Sequence, residues 1–412
     1  MSNNLDKISL LLLYFIPVAL ITGPFLPDLS LSIIVIIFLY KIFKNKDWGK
    51  LNNKYFLALS IICIYLIITS LFSENILLSL KPTLFYFRFG IFCFASYYLM
   101  EKYHKEIIQN LFILVLIILC LLLIGQIYDL IFQKNILTGE IVDEFRHTGF
   151  FGDDEVIGSY TARLLPFFLF IFLNKINQNK IIIFTLIIVA GLIIFLSSER
   201  TSFFFYLATL VIFITLSENK IQKIVFYNFL LVLSIFTIFF IFKADFNQRV
   251  HQTYDQMFVS KNEKTEMVFF SETHHSHYQI AYKMFKEKPV FGHGVKIFRH
   301  YCAKDENYIS ELACTTHPHN VLMQFLSETG IIFTVIIYFF YLLLIFELIK
   351  LIFKRNFTNE YKINYSKICF IISLFITFFP FSPSGNFFDN WLSIVYYYPI
   401  GIYLWKMNSN NY

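Results

Sequence analysis

Thr316-His317-Pro318-His319-Asn320-Val321-Leu322-Met323-Gln324-Phe325-Leu326-Ser327-Glu328-Thr329-Gly330 ends a long polar interruption and opens a long apolar run. A polar stretch that passes into twenty or more apolar residues reads as an aqueous loop entering a membrane helix. Two imidazoles, His317 and His319, therefore sit where water meets the bilayer. Outward from this point the pattern repeats. Apolar runs near the ~20 residues that span a bilayer recur from end to end. Their approximate cores are 8–23, 28–44, 55–73, 82–99, 108–131, 157–173, 181–197, 201–216, 222–242, 320–349, 366–380 and 390–406. The chain is 57% hydrophobic and 15% charged, against about 25% charged in soluble domains. The expectation is one all-α polytopic membrane domain over residues 1–412, with about twelve transmembrane helices. So little soluble mass speaks against nucleic-acid binding. Leu10 to Ile21 has the length of a signal-peptide core, but no small-residue cleavage site follows it, so it reads as a retained first span.

Lys and Arg in the short loops set the orientation. With the N-terminus cytoplasmic, the inner loops carry eighteen of them, from Lys7 to Lys406. The short outer loops carry Lys81, Lys134, Arg146 and Arg200. Both termini are then cytoplasmic. A large outer loop, 243–316, lies between spans nine and ten, and a smaller one occupies 133–155. Within the large loop, Glu272 to Lys288 places Tyr278, Ala281, Tyr282 and Phe285 at helical spacing. Pro289 ends that helix, and Phe291-Gly292-His293-Gly294 reads as a tight turn. Cys302 and Cys314 lie in the same loop. In an oxidising compartment they can pair, but spacing leaves this open.

Four arginines fall in the outer half of the chain on this topology. Arg88 and Arg163 lie inside spans, on the order of 10 Å below the outer surface at 1.5 Å per residue. A cation at that depth is expensive, from ~3 kcal/mol upward. Neither has an acidic residue within a helical turn in sequence, so an anion must come from elsewhere. Arg146 lies in the outer loop before span six, and Arg200 at the outer turn Ser197-Ser198-Glu199-Arg200. Each arginine reads either as the partner of a carboxylate or a helix end, or as part of a phosphate cradle, for which the planar guanidinium fork is suited. The histidines pose a similar choice. His274, His275 and His277 form one group, His317 and His319 another. No ligand spacing among them matches a recognisable zinc set, so no metal is expected. An interfacial imidazole that titrates near neutrality serves as a general base.

His319-Asn320, nine residues, then Gly330 resembles the His-Asn-x9-Gly signature of the bacterial O-antigen ligase family, which includes related O-antigen polymerases. Pro289-Val290-Phe291-Gly292-His293-Gly294-Val295-Lys296-Ile297-Phe298 resembles the family's upstream turn. Ser197-Ser198-Glu199-Arg200 resembles its small-residue-Arg turn, and Arg146 with Gly149, Phe151, Gly158 and Tyr160 its approach to span six. Two departures stand out. Phe333 occupies a position where the family has Gly, Thr or Tyr. Thr273-His274-His275 stands where family members carry an arginine.

The resemblance implies a glycosyltransferase of the bacterial inner membrane with a periplasmic active site. The donor would be a glycan on undecaprenyl pyrophosphate, and the acceptor a sugar hydroxyl of lipid A-core or of a second carrier-linked chain. His319 would be the general base of an inverting transfer, with Arg200 at the catalytic centre. Arg88, Arg146, Arg163, Asn320 and His317 would line the substrate site. No cofactor is expected, because the pyrophosphate leaving group already carries the activation. A lipid-linked glycan flippase is the rival from another class. It would show internal repeats and charges along a path from both sides, which the sequence lacks. A scaffold role for the large loop leaves the intramembrane arginines unexplained.

Overall fold

The computed structural model describes residues 2–142, 146–175, 180–217, 222–223, 225–231, 234, 258–261, 264–267, 271–357 and 364–409. The chain is built from helices, with one short antiparallel hairpin. Helices α1 (Ser2–Ala19), α2 (Phe25–Asn45), α3 (Lys54–Leu71), α4 (Ile76–Leu84) and α5 (Phe87–Phe132) come first. Helices α6 (Ile157–Lys175), α7 (Lys180–Leu196) and α8 (Arg200–Leu216) follow. The hairpin pairs β1 (Phe258–Lys261) with β2 (Lys264–Met267). Then come α9 (Glu272–Glu287), α10 (Phe298–Cys302), α11 (Val321–Gln324), α12 (Gly330–Phe357), α13 (Tyr365–Phe378), α14 (Asn390–Tyr397) and α15 (Ile400–Ser409).

Among the described residues six helical segments are long and apolar enough to cross a membrane, the longest being Ile76–Phe132 and Val321–Arg355. The apolar helices α7, α8 and α13 are shorter. This is a multi-pass, helical membrane protein. Most of the expected span 222–242, and much of the expected loop 243–316 before Ser271, lie outside the described residues. The expected spans four and five occur inside one segment. At 1.5 Å per residue the 46 residues of α5 would run roughly 70 Å, more than twice the ~30 Å hydrocarbon core. Tyr103, with non-helical φ −127° and ψ 22°, divides it. The expected last span is also divided, into α14 and α15, at Tyr398-Pro399, since proline forfeits a helical hydrogen bond.

Helix α6 is the centre. Its membrane window is 89% buried inside the protein, against 17–50% for the other long segments. It packs on α5, α7, α8 and α13, with Phe167 and Phe170 edge-on to Tyr403. A residue on α6 therefore faces protein rather than lipid. Backbone groups freed inside a bilayer must find partners within the protein, and helix α1 shows how. Pro17 has no N–H for the carbonyl of Leu13 four residues earlier. The hydroxyl of Tyr398 donates to that carbonyl at 3.0 Å. Tyr160 and Trp391 likewise donate to the carbonyls of Pro17 and Leu20. Three aromatic rings thus bury apolar surface and cap the end of α1 with their polar tips.

The smaller loop is a built structure. Gln126 of α5 donates to the carbonyls of His147 and Ile193, tying the loop to α7. Asp129 accepts from Gly149 N, and Asn135 donates to Thr148 and Gly149. Cys302 and Cys314 form a disulfide with Cα atoms 5.3 Å apart, which settles the pairing that their spacing left open.

Candidate active site

The motif stretch folds as a broken helix. Asn320 caps α11, its Oδ1 accepting from Met323 N at 3.0 Å. After one turn the chain widens into a π-helical turn, Phe325–Thr329, before α12 begins at Gly330. Such turns mark functional sites often. Here the wide turn exposes backbone carbonyls, and the Pro289–Gly294 segment takes them up. His293 N donates to Ser327 O and Gly294 N to Glu328 O, while Ile331 N donates to Pro289 O. The clasp brings two backbones into contact, which explains its glycines. Gly330 has φ 75° and Gly292 φ 69°. A Cβ on Gly330 would overlap Val290 O, and one on Gly292 would overlap the Glu328 carbonyl. Gly330→Ala combines this overlap with a left-handed φ. We expect it to cost on the order of 4 kcal/mol or more. The loss will show as a collapse in thermal stability or in monodisperse protein after detergent extraction.

Glu328 is fully buried beneath the turn. It accepts from Gln324 Nε2 at 2.9 Å and from Phe298 N at 3.4 Å. Phe333, the departure noted above, is also buried. It stacks on Tyr65 at 5.7 Å and sits edge-on to Phe325 at 5.2 Å. Tyr65 donates to Thr329 O at 2.8 Å, so the large ring fits because α3 supplies a matching aromatic.

His319 has φ 54°, a left-handed conformation. Its carbonyl accepts from Ser384 N at 2.9 Å. Its ring lies among three others: the centroid is 4.0 Å from His317, 5.1 Å from His277 and 5.7 Å from His274. Helix α9 supplies the last two. Ser271 caps this helix, accepting from His274 N and pairing with His274 Nδ1. The face α9 buries is centred on His277, Ile280, Ala281 and Met284. It is rotated from the expected aromatic face, and Tyr282 is 50% exposed under Lys286. Among the described residues no three His, Cys, Asp or Glu side chains are arranged to hold a metal ion. The imidazoles pack ring against ring.

Such packing opposes protonation. Burial, then the neighbouring rings of His317, His277 and His274, pushes His319 down to about 3. Burial also lowers His317 and His277 to about 4. His274 is lowered by burial, then by the charge of Arg200. Near neutral pH the rings are therefore uncharged. His317 Nδ1 pairs with the Thr316 hydroxyl, and its Nε2 donates to Ser384 O at 3.2 Å. The ring of His319 has no hydrogen-bond partner among the described residues.

The arginines have different surroundings. Arg88 meets the two oxygens of Asp28 at 2.9 and 3.1 Å, and Asn390 also donates to that carboxylate. The anion it required thus comes from α2, 60 residues earlier in the chain. Arg146 pairs with Glu155. Arg163 is 7% exposed and has no carboxylate within ion-pair distance among the described residues. Its Nε donates to Ser159 Oγ at 3.1 Å and its Nη2 to Ser384 Oγ at 3.4 Å. Its guanidinium lies over Phe205 and Tyr396 at 5.0 and 5.5 Å. Its Nη1 is buried without a hydrogen-bond partner. Glu199 does not serve as its neighbour's partner in the helix. It caps α6, accepting from Gly158 N at 2.7 Å and from Ser202 at 2.7 Å. Burial pushes Glu199 up to about 7.

Asn320, expected in the substrate site, spends its amide on Pro380 O and Ser382 O at 2.8 and 3.3 Å. Gln324 also reaches this loop, donating to Asn386 and accepting from Phe387 N. The loop after α13 is thus sewn to the histidine motif from end to end, and through Ser384 it reaches Arg163.

A comparison with curated proteins gives no match. The family model described as O-antigen ligase matches residues 181–339. That stretch carries Arg200 and, packed together around the broken helix, the α9 histidines, the Pro289–Gly294 turn and the run from His319 to Gly330. Over this stretch, which is less than half of the chain, the protein is similar to the O-antigen ligase family.

Proposed function

We propose that the chain is an inverting glycosyltransferase that moves a glycan from undecaprenyl pyrophosphate to a sugar hydroxyl of lipid A-core, as an O-antigen ligase. The observation that carries this reading is one connection. Ser384 hydrogen-bonds both to the backbone of His319 and to the buried, carboxylate-free guanidinium of Arg163. A neutral imidazole and an unneutralised cation are thereby held in one site. Arg200, whose charge acts on His274, adds a second cation.

In this reading His319 takes the proton of the acceptor hydroxyl. The acceptor oxygen then forms its bond to the anomeric carbon as the carbon–pyrophosphate bond breaks on the opposite face. The bonding pair leaves with the pyrophosphate, whose charge Arg163 and Arg200 stabilise. The proton passes from His319 to solvent after transfer. A pyrophosphate beside the imidazole favours its charged form and raises its basicity, so the base strengthens when the donor is bound. Arg88 belongs to the scaffold through Asp28, and Arg146 with Glu155 to the loop that borders the site. Asn320 and His317 position the motif rather than the sugar.

The disulfide supports an outer, oxidising location for the site. With the bias of Lys and Arg this gives an inner-membrane protein with both termini cytoplasmic. A polymerase of repeat units would use the same donor site with a different acceptor. Deleting the gene and resolving the lipopolysaccharide on a gel distinguishes them. Uncapped core is the expected result; core bearing one repeat unit would instead identify a polymerase.

A further inference from the structure

The loop Pro380–Asn386 lies beyond the stretch matched by the family model, yet every link between the histidine motif and Arg163 described above passes through it. Ser384 is its busiest residue. Its N–H and C=O are occupied by His319 O and His317 Nε2. Its Oγ accepts from Arg163 Nη2, which leaves the hydroxyl hydrogen free to donate. That hydrogen has no acceptor among the described residues, and Ser384 is only half-buried. Two further polar atoms, on the residue that donates to Ser384 and on the residue two positions before it, are buried and unpartnered: Arg163 Nη1 and Ser382 Oγ. Unsatisfied buried donors are costly and call for an explanation. Each can donate a hydrogen bond, and no carboxylate pairs with any of them among the described residues. A guanidinium and hydroxyls without an acceptor are complementary to an anionic oxygen.

We propose that Ser384 is an anion-binding residue of the transfer site: its hydroxyl, aligned by Arg163, donates to a phosphate oxygen of the donor. The ligand chemistry is a pyrophosphate or phosphate oxygen, carried by a lipid or free in solution. The inference rests on the transferase reading for its biological donor but not for its binding chemistry. The backbone of Ser384 also holds the carbonyl of His319 and the ring of His317, so an anion on the hydroxyl and the proposed base are anchored to the same residue. Occupancy of the anion site and placement of the base are then coupled through one loop.

The test uses the full-length protein in lipid nanodiscs. Inorganic pyrophosphate is titrated by calorimetry and then used as a competitor against lipid-linked donor. Ser384→Ala removes the hydroxyl and leaves both backbone links in place. It is expected to weaken pyrophosphate binding roughly tenfold, the scale of one hydrogen bond to a charged group, and to raise the donor KM with kcat changed by less than about threefold. Ser384→Thr keeps a hydroxyl and should restore most of the affinity. Unchanged affinity in Ser384→Ala, or equal weakness in the threonine variant, overturns the proposal. Weakening by Arg163→Met with none by Ser384→Ala removes Ser384 and leaves the transferase reading intact. Weakening by both without any glycan transfer keeps the anion site and removes that reading. If wild type binds lipid-linked donor but not free pyrophosphate, the donor is the only source, and the donor KM of Ser384→Ala decides. If wild type binds neither, both ideas fall.

Discussion

His319→Asn is expected to lower glycan transfer by on the order of 10² to 10⁴-fold, the range for removing a general base, with no loss of folded protein. Asparagine is the right substitution because His319 has φ 54°. Asn tolerates that left-handed backbone, whereas Ala would add strain and confuse chemistry with stability. The pH profile supplies a second readout. In the free site the pKa is depressed to about 3. The limb of kcat/KM, which reports the free enzyme, should therefore fall only well below the ordinary histidine value of 6.5. The limb of kcat, which reports the donor-bound complex, should lie at higher pH, because the bound pyrophosphate favours the charged imidazole. The stability linkage runs in the same direction. With folded values below the unfolded one, the histidines leave stability unaffected above about 6.5 and erode it as pH falls toward the folded values. Near-normal transfer by a well-folded His319→Asn protein would remove the base from the mechanism.

Arg163→Met should cost on the order of 10² to 10³ in kcat, the scale for losing one donor that stabilises a departing anion. It should at the same time leave the protein as stable as wild type or more so. The two outcomes together are the point. A guanidinium at 7% exposure, with an unpartnered Nη1 and no carboxylate within ion-pair distance among the described residues, carries a desolvation penalty that its two serine hydrogen bonds and ring contacts offset only in part. Methionine fills similar space over Phe205 and Tyr396 without that penalty. An arginine kept for the fold behaves in the opposite way, as Arg88 would, because its loss strands Asp28. Arg163→Lys retains a charge but not the fork that reaches both Ser159 and Ser384, so its rescue should be partial. A large fall in thermal stability matched by a proportionate loss of activity would show Arg163 to be structural.

Much of the site was readable from spacing. His319, Asn320 and Gly330 stood out as a spaced signature, and in the structure they bracket a break in a helix. The physical reason for the spacing is the π-helical turn and its backbone clasp with Pro289–Gly294. The arginines were visible as cations at depths where lipid makes charge expensive. Their partners were not visible. Asp28 and Arg88 are distant in the chain, and nothing local distinguishes Arg88 from Arg163. Two histidines of α9 were weighed only as a local group, because a sequence does not show that a helix from the outer loop lays His274 and His277 against His319. The aromatic spacing of α9 suggested a face through Tyr282, whereas packing against the broken helix selected the one through His277. Ser384 had no signal at all: a serine in a Pro-Ser-Gly loop is ordinary until its neighbours are known.

The opening stretch thus had two layers. Its sequence alone determined that a polar loop meets a membrane helix at His317–Asn320, because hydropathy acts locally, and that the span is long enough to carry a break near Gly330. Which imidazoles surround His319, which arginine is left without a carboxylate, and which loop joins the two were decided by tertiary structure alone. In a protein whose helices all read as apolar, the pairing of a few buried polar groups depends on which helix faces come together. Helix α6, enclosed on nearly all sides, is where that choice was made.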